Sequence, residues 1–218
     1  MEEVKVKYKI LSPKIAKGLE ALVFDNNDIQ CNDSYCDGVI ADCVIENQRA
    51  EHVSFDQVSF RNVVFKDANF RALELTDIRF ENCDLSNADL SGAIIHRVEM
   101  INCKILGLNL SESTLRNVLF DDCNGRYISF RFSDCKQVNF KKCLLHNGDF
   151  QKSNFSKVSF LSSNLQQMEF SGTNLKGIDL TSCEIDGMGA GIDDLNGLIV
   201  SPQQAVSLSK LMGIIVKI

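Results

Sequence analysis

The chain has 218 residues, is 44% hydrophobic, contains fourteen Phe but no Trp and two Pro, and carries a net charge of −6. That length and apolar fraction suit one large domain or two small ones, and no apolar run approaches the roughly 18 residues of a membrane span. The acidic balance argues against direct nucleic-acid binding, because neutralising phosphates takes an excess of Lys and Arg. The opening MEEVKVKYKI alternates charge and apolarity and lacks the long apolar core of a signal peptide, so a soluble cytoplasmic protein is expected.

Charge is unevenly spread. Residues 20–99 hold sixteen acidic side chains against six basic, residues 101–176 hold six against ten, and residues 177–200 hold five against none. Two acidic zones therefore flank a mildly basic middle.

Residues 1–20 read as an N-terminal cap, in which LSPKIAKGLE forms a short turn with Ser12 as N-cap and Pro13 at the first helical position. Across residues 21–52 apolar residues recur every five positions, but Phe24 and Ile29 stand one residue out of step with Tyr35, Ile40 and Ile45. One or two irregular coils containing a bulge or short loop are expected there.

From Val53 the register is strict. The chain runs VSFRN VVFKD ANFRA LELTD IRFEN CDLSN ADLSG and onward to CEIDG, with 27 consecutive pentapeptide centres from Phe55 to Ile185. Nearly every centre is Phe, Leu, Ile or Met, and the residue two before it is small or apolar. Helices repeat every 3.6 residues and strands every 2, so neither alone yields this period. If each pentapeptide makes one side of a square, four close a coil of twenty residues. Such coils stack at about 4.8 Å and bury their apolar faces on each other.

Residues twenty apart then form columns. Phe60, Phe80, Met100, Phe120, Phe140 and Phe160 make one; Cys83, Cys103, Cys123 and Cys143 make another, to which Cys43 and Cys183 also belong. These thiols fill inward positions as small hydrophobes. Disulfides between adjacent coils are within reach, but parallel rotamers and a cytosolic setting argue against them. No CxxC occurs and His52, His96 and His146 lie far from any Cys pair, so no metal or cofactor is expected.

One centre is anomalous. Gly125 stands where Phe or Leu belongs, with Tyr127 and Phe132 at nearby outward positions. The expectation is that one aromatic folds over the thin spot, the alternative being an aromatic contact patch. A packed coil offers no cleft, and no nucleophile–base–orienter set can be assembled, so no catalysis is expected.

Residues 188–218 break the period. Ser201, Pro202 and Gln204 predict a capped helix with Ala205, Leu208, Leu211 and Met212 on one face, stopped by Gly213 and followed by a short apolar strand through Ile214, Ile215, Val216 and Ile218. One reading is a cap over the last coil and the other a dimer contact; because a cap needs one apolar face and this segment offers a helix stripe plus a strand, Leu208, Leu211, Met212, Ile214, Ile215 and Val216 are the expected homodimer interface.

The repeat, literally ADLSG at residues 88–92, resembles the pentapeptide repeat family over residues 53–187. The tail P-x-Q-A-x-x-L with Leu211-Met212-Gly213-Ile214, and the internal run FDDCNGRYISFRF, are similar to the quinolone-resistance (Qnr-type) members of Gram-positive bacteria. The resemblance implies an all-β fold, a right-handed quadrilateral β-helix without pore or cofactor, here with a short C-terminal helix. It implies an elongated homodimer joined through its C-terminal ends that mimics DNA and binds DNA gyrase and topoisomerase IV, inhibiting the enzyme or shielding it from quinolones. Two chains would give a rod on the order of 80 Å at the coil spacing. Asp179, Glu184, Asp186, Asp193 and Asp194 would then surround the two-fold axis and meet the positive groove of the enzyme. Two features depart from that pattern. The middle stretch is basic (Arg126, Arg131, Lys136, Lys141, Lys142, Lys152, Lys157), and residues 53–187 hold no projecting loop of the kind linked to gyrase protection, so any such loop falls near 30–35 or 46–52. The alternative reading is a structural or adaptor rod for another protein partner, its charge serving solubility.

Overall fold

The computed structural model describes residues 8–22 and 29–217. Its architecture follows from a backbone rhythm. From Asn32 to Gln167 every fifth residue, two past each centre, has φ between 49° and 71°. Asn, Asp and Gly fill more than half of these corners and no Val, Ile or Thr fills any. A Cβ crowds the carbonyl in this left-handed region, a clash that Gly lacks, Asn and Asp tolerate, and β-branched residues cannot relieve.

The strands are β1 (Glu20–Ala21), β2 (Ser34–Ala41), β3 (Val44–Glu46), β4 (Ser54–Arg61), β5 (Val64–Lys66), β6 (Glu74–Glu81), β7 (Ile94–Ile101), β8 (Thr114–Asp121), β9 (Asp134–Lys141) and β10 (Asn154–Leu161). An eight-stranded parallel sheet runs β1-β2-β4-β6-β7-β8-β9-β10, and β3 pairs with β5. From β2 onward each residue faces the one twenty positions later, as in Phe60↔Phe80 and Phe120↔Phe140. Each eight-residue strand covers two sides of the square and bends at its left-handed residue. The other two sides are held by single bridges such as Asn69↔Asp89 and Lys104↔Asn124, with corners closed by turns such as Ala88 N–H to Leu85 O at 3.2 Å. The right-handed quadrilateral β-helix ending in one short helix is the fold that forms.

The expected columns fill the interior. Phe60 and Phe80 stack at 4.6 Å, Phe120 and Phe140 at 4.8 Å, and Phe140 and Phe160 at 5.0 Å. A second stack, Phe130–Phe150–Phe170, comes from the opposite side and meets the first edge-on, Phe130 to Phe140 at 83°. Offset and edge-to-face rings are the favoured aromatic geometries, and both fit one square section. Where the inward position two before a centre is Cys, Ser or Thr, it also serves as a hydrogen-bond donor. The Cys143 thiol donates to Phe120 O at 3.4 Å, Ser153 Oγ to Phe130 O at 2.7 Å and Thr173 Oγ1 to Phe150 O at 2.5 Å.

Several expectations need correction. Register is regular from Asn32 rather than from Val53: Tyr35↔Phe55 and Ile40↔Phe60 keep the offset, and Asn47 and His52 are ordinary corners, so no loop projects at 30–35 or 46–52. Only β1 departs from that offset, with Glu20 opposite Gly38. Phe24 lies outside the described residues. No helical turn forms at Ser12–Pro13; residues 8–14 run extended up the side of the rod. Ile214–Val216 form no strand, and Ile218 lies outside the described residues. Tyr127 and Phe132 are 63% and 49% exposed, so neither folds over Gly125. That space is taken from inside, where a Cβ on Gly125 would stand 2.9 Å from Leu145 Cδ2 and 3.2 Å from Ile105 Cγ1, side chains of the two adjacent coils.

Candidate functional site

The C-terminal end is where charge and apolar surface gather. Coil pairing continues to Glu169↔Gly189 and Asp179↔Ile199, beyond the last strict pentapeptide. Helix α1 (Pro202–Ser209) then closes the rod. Ser201 Oγ accepts the Gln204 N–H at 3.3 Å while Gln204 Oε1 accepts the Ser201 N–H at 2.8 Å, the expected reciprocal cap. The same Gln204 side chain donates from Nε2 to Leu180 O at 2.7 Å and Cys183 O at 2.8 Å, pinning the helix to the last coil's backbone. Gly213, with φ 72°, ends the following turn.

The five carboxylates are spread over three sides of the final coil. Asp179 accepts Thr181 N–H at 3.0 Å and its hydroxyl at 2.7 Å; Glu184 accepts Asn164 Nδ2 at 2.8 Å; Asp186 accepts Ser207 Oγ at 2.9 Å. Asp194 braces the backbone. Its Oδ2 accepts Gly172 N–H at 2.8 Å and Gly191 N–H at 3.0 Å, holding a corner where the backbone at Ile192 is right-handed. Asp193 opens the adjacent 3-10 turn and is exposed. Among the described residues none of the five pairs with a cation. Acids of earlier coils do pair: Glu46 with Lys66 at 3.1 Å, Asp121 with Lys141 at 2.9 Å, Glu99 with Arg79 at 3.3 Å.

The apolar tail divides. Leu208 packs on the core as part of the cap and Leu211 is half-buried, whereas Met212, Ile214, Ile215 and Val216 are 53%, 49%, 85% and 45% exposed. Val206, at 45%, is exposed as well; it sits beside the predicted helix stripe rather than on it, so sequence periodicity passed over it.

Residues 73–150 match the family model "Pentapeptide repeat region", and the same twenty-residue register runs on through both flanks. Over those 78 residues the chain carries a pentapeptide repeat region. It is 48% identical over 46 residues to the uncharacterized protein YisX of Bacillus subtilis (strain 168), a stretch covering 21% of this chain and 22% of that protein. Among solved structures it is similar to a trypsin-treated variant of QnrB1, a plasmid-mediated fluoroquinolone resistance protein, at 21% identity over 91% of this chain and 98% of that one, with TM-score 0.44. It is also similar to HetL of the cyanobacterium Nostoc sp. strain PCC 7120, a pentapeptide repeat protein involved in heterocyst differentiation regulation, at 14% identity over 80% and 87% of the two chains, with TM-score 0.31.

Six of the thiols are buried within the coils. Donation of its S–H toward the Cys123 sulfur, with burial adding to it, pushes Cys103 up to about 12, and burial pushes Cys135 up to about 12. Cys31 and Cys36 are exposed. Of the basic middle stretch, Arg131 pairs with Asp149 at 3.6 Å and Lys141 with Asp121, whereas Arg126, Lys136, Lys142, Lys152 and Lys157 have no acidic partner among the described residues. No cluster of three or more metal-capable side chains occurs among the described residues, and no helix there is long and apolar enough to cross a membrane.

Proposed function

We propose that this protein is a rod-shaped DNA mimic that binds type II topoisomerases, DNA gyrase and topoisomerase IV, and modulates quinolone susceptibility. The observation that carries the reading is the C-terminal end, where unneutralised carboxylates ring the last coil beside an exposed apolar tail. Two copies joined through Met212, Ile214, Ile215 and Val216 place ten carboxylates about a two-fold axis at mid-rod. A polyanion of that form is attracted by a DNA-binding groove, and the joined apolar tails leave water together. The helix signature over residues 202–214, similar to that of Qnr-type members, brings in quinolone susceptibility. The first experiment is gyrase supercoiling with the protein titrated in, with and without ciprofloxacin. Rescue in the presence of drug, or inhibition in its absence, at low micromolar protein supports the reading; no effect from a folded dimer sinks it.

A second reading, an adaptor rod for another protein, draws on the ion pairs that neutralise the upper coils, Arg97–Asp77, Arg79–Glu81 and Lys66–Glu46 among them. Under it, supercoiling is unaffected and the upper faces, not the acidic end, carry the contact.

A further inference from the structure

Residues 8–14 climb the rod against the direction of the coils. Asn139 Nδ2 donates to Tyr8 O at 3.3 Å, Gln137 Nε2 donates to Lys9 O at 3.3 Å, Asn117 Oδ1 accepts Leu11 N–H at 3.1 Å, and Asp77 Oδ1 accepts Lys14 N–H at 2.8 Å. Every one of these contacts is to backbone, so the rod recognises an extended main chain rather than particular side chains. The contacts come from three coils, including ones that are not neighbours. Half-buried Tyr8, Ile10 and Pro13 are interleaved with exposed Lys9, Leu11 and Ser12, as in an extended chain lying on a surface.

The surface beneath is buried with the strap in place. Outward positions are normally open, as at Asn62 and Asn82, yet Ser59, Asp77, Asn117 and Asn139 are 2%, 4%, 8% and 4% exposed. The strands on this side pair with one another rather than with the strap: β6 to β10 keep the twenty-residue offset, with only the left-handed residues 77, 97, 117, 137 and 157 left out of the ladders. Lifting the strap therefore breaks no bond within the solenoid. The Lys14 amide donates to Asp77, whose side chain is 6% exposed and ion-paired with Arg97.

We propose that the side of the rod bearing Asp77, Asn117, Gln137 and Asn139 is a groove that reads the backbone of one extended segment, this chain's own residues 8–14. Residues 8–14 occupy it as a ligand in cis that departs while the coils stay folded. Such a site is separate from the acidic C-terminal end and does not depend on topoisomerase binding.

The test uses the full chain and hydrogen exchange read by mass spectrometry. Fragments covering residues 8–17 are expected to exchange about tenfold faster or more than fragments from β8 and β9, as a locally opening segment does. Asn117→Ala with Gln137→Ala is expected to speed exchange in 8–17 and leave β10 unchanged. An excess of isotope-labelled synthetic peptide of residues 1–18 is expected to speed it in the unmodified chain, by competing for the groove. Exchange of 8–17 only in step with β8 and β9 would overturn the proposal, because the strap would then be part of the cooperative core. So would a peptide that leaves the unmodified chain's exchange untouched.

Discussion

Arg97 holds Asp77, one coil above it, with two parallel bonds: Nε to Oδ1 and Nη2 to Oδ2, both at 2.5 Å. The side chains are 17% and 6% exposed, and the same Oδ1 accepts the Lys14 amide. Burial alone would raise the Asp77 pKa, but the Arg97 guanidinium and the Lys14 N–H together hold it below the usual carboxylate range. A folded pKa depressed in this way contributes stability that is fully present above the ordinary Asp value of about 3.9 and is lost as pH falls through the lower folded value. The Tm advantage of the unmodified chain over Asp77→Asn is therefore expected to be constant from neutral pH down to about 5 and to shrink below about 4. Arg97→Ala strands the buried carboxylate and is expected to cost about 3 kcal/mol in urea unfolding.

The corner rule predicts opposite outcomes for two small changes at one position. Asn147 has φ 60°. Asn147→Val places a β-branched side chain in the left-handed region and is expected to cost about 1–2 kcal/mol, while Asn147→Gly stays within about 0.5 kcal/mol of the unmodified chain. Thermal unfolding of the pair checks this; equal stabilities would mean that the corner does not select its residue by conformation.

Restoring the repeat consensus at Gly125 is expected to harm the protein. Leu145 and Ile105 already occupy the space, with Leu145 Cδ2 at 2.9 Å from where a Cβ would stand. Gly125→Leu overpacks the column and is expected to lose about 1–3 kcal/mol. Tyr127→Ala, at a 63% exposed site, is expected to leave Tm unchanged. A stabilised Gly125→Leu, or a weakened Tyr127→Ala, would return the repair to the aromatic.

Thiol labelling offers a count. Of nine cysteines, Cys31 and Cys36 are exposed, Cys43 is intermediate and six are buried. The thiolate is the reactive form, so raised pKa values and burial both suppress attack. Cys31 and Cys36 are expected to react promptly with an aromatic disulfide reagent in the native protein and Cys43 slowly, with the remaining six reacting only in denaturant. Cys143→Ser is expected to stay within about 1 kcal/mol, because Ser163, one coil on in the same column, already makes the equivalent bond to Phe140 O at 3.5 Å.

Self-association has a direct probe in Ile215, at 85% exposure. Ile215→Glu is expected to reduce a dimer to monomer in light scattering at micromolar concentration without shifting the stability of the coils. A dimer that persists would move the interface elsewhere.

The sequence by itself determined the coil. An apolar residue every fifth position cannot be buried by a helix or a flat strand, so the period of five implied four sides, twenty residues a turn and the stacked Phe and Cys columns. The capped C-terminal helix was equally legible, because Ser201, Pro202 and Gln204 act on their own backbone. Only the tertiary structure decided what depends on neighbours twenty or a hundred residues away. Ile105 and Leu145 filling the space at Gly125 are two adjacent coils acting together. The strap of residues 8–14 was invisible because Asp77, Asn117 and Gln137 look like any polar corner, and Asn139 like any outward strand residue, until the chain's beginning is laid across them. The unpaired acids at the last coil stand out only once the ladder pairs above them are seen, since counting charges along a chain cannot say which of them meet.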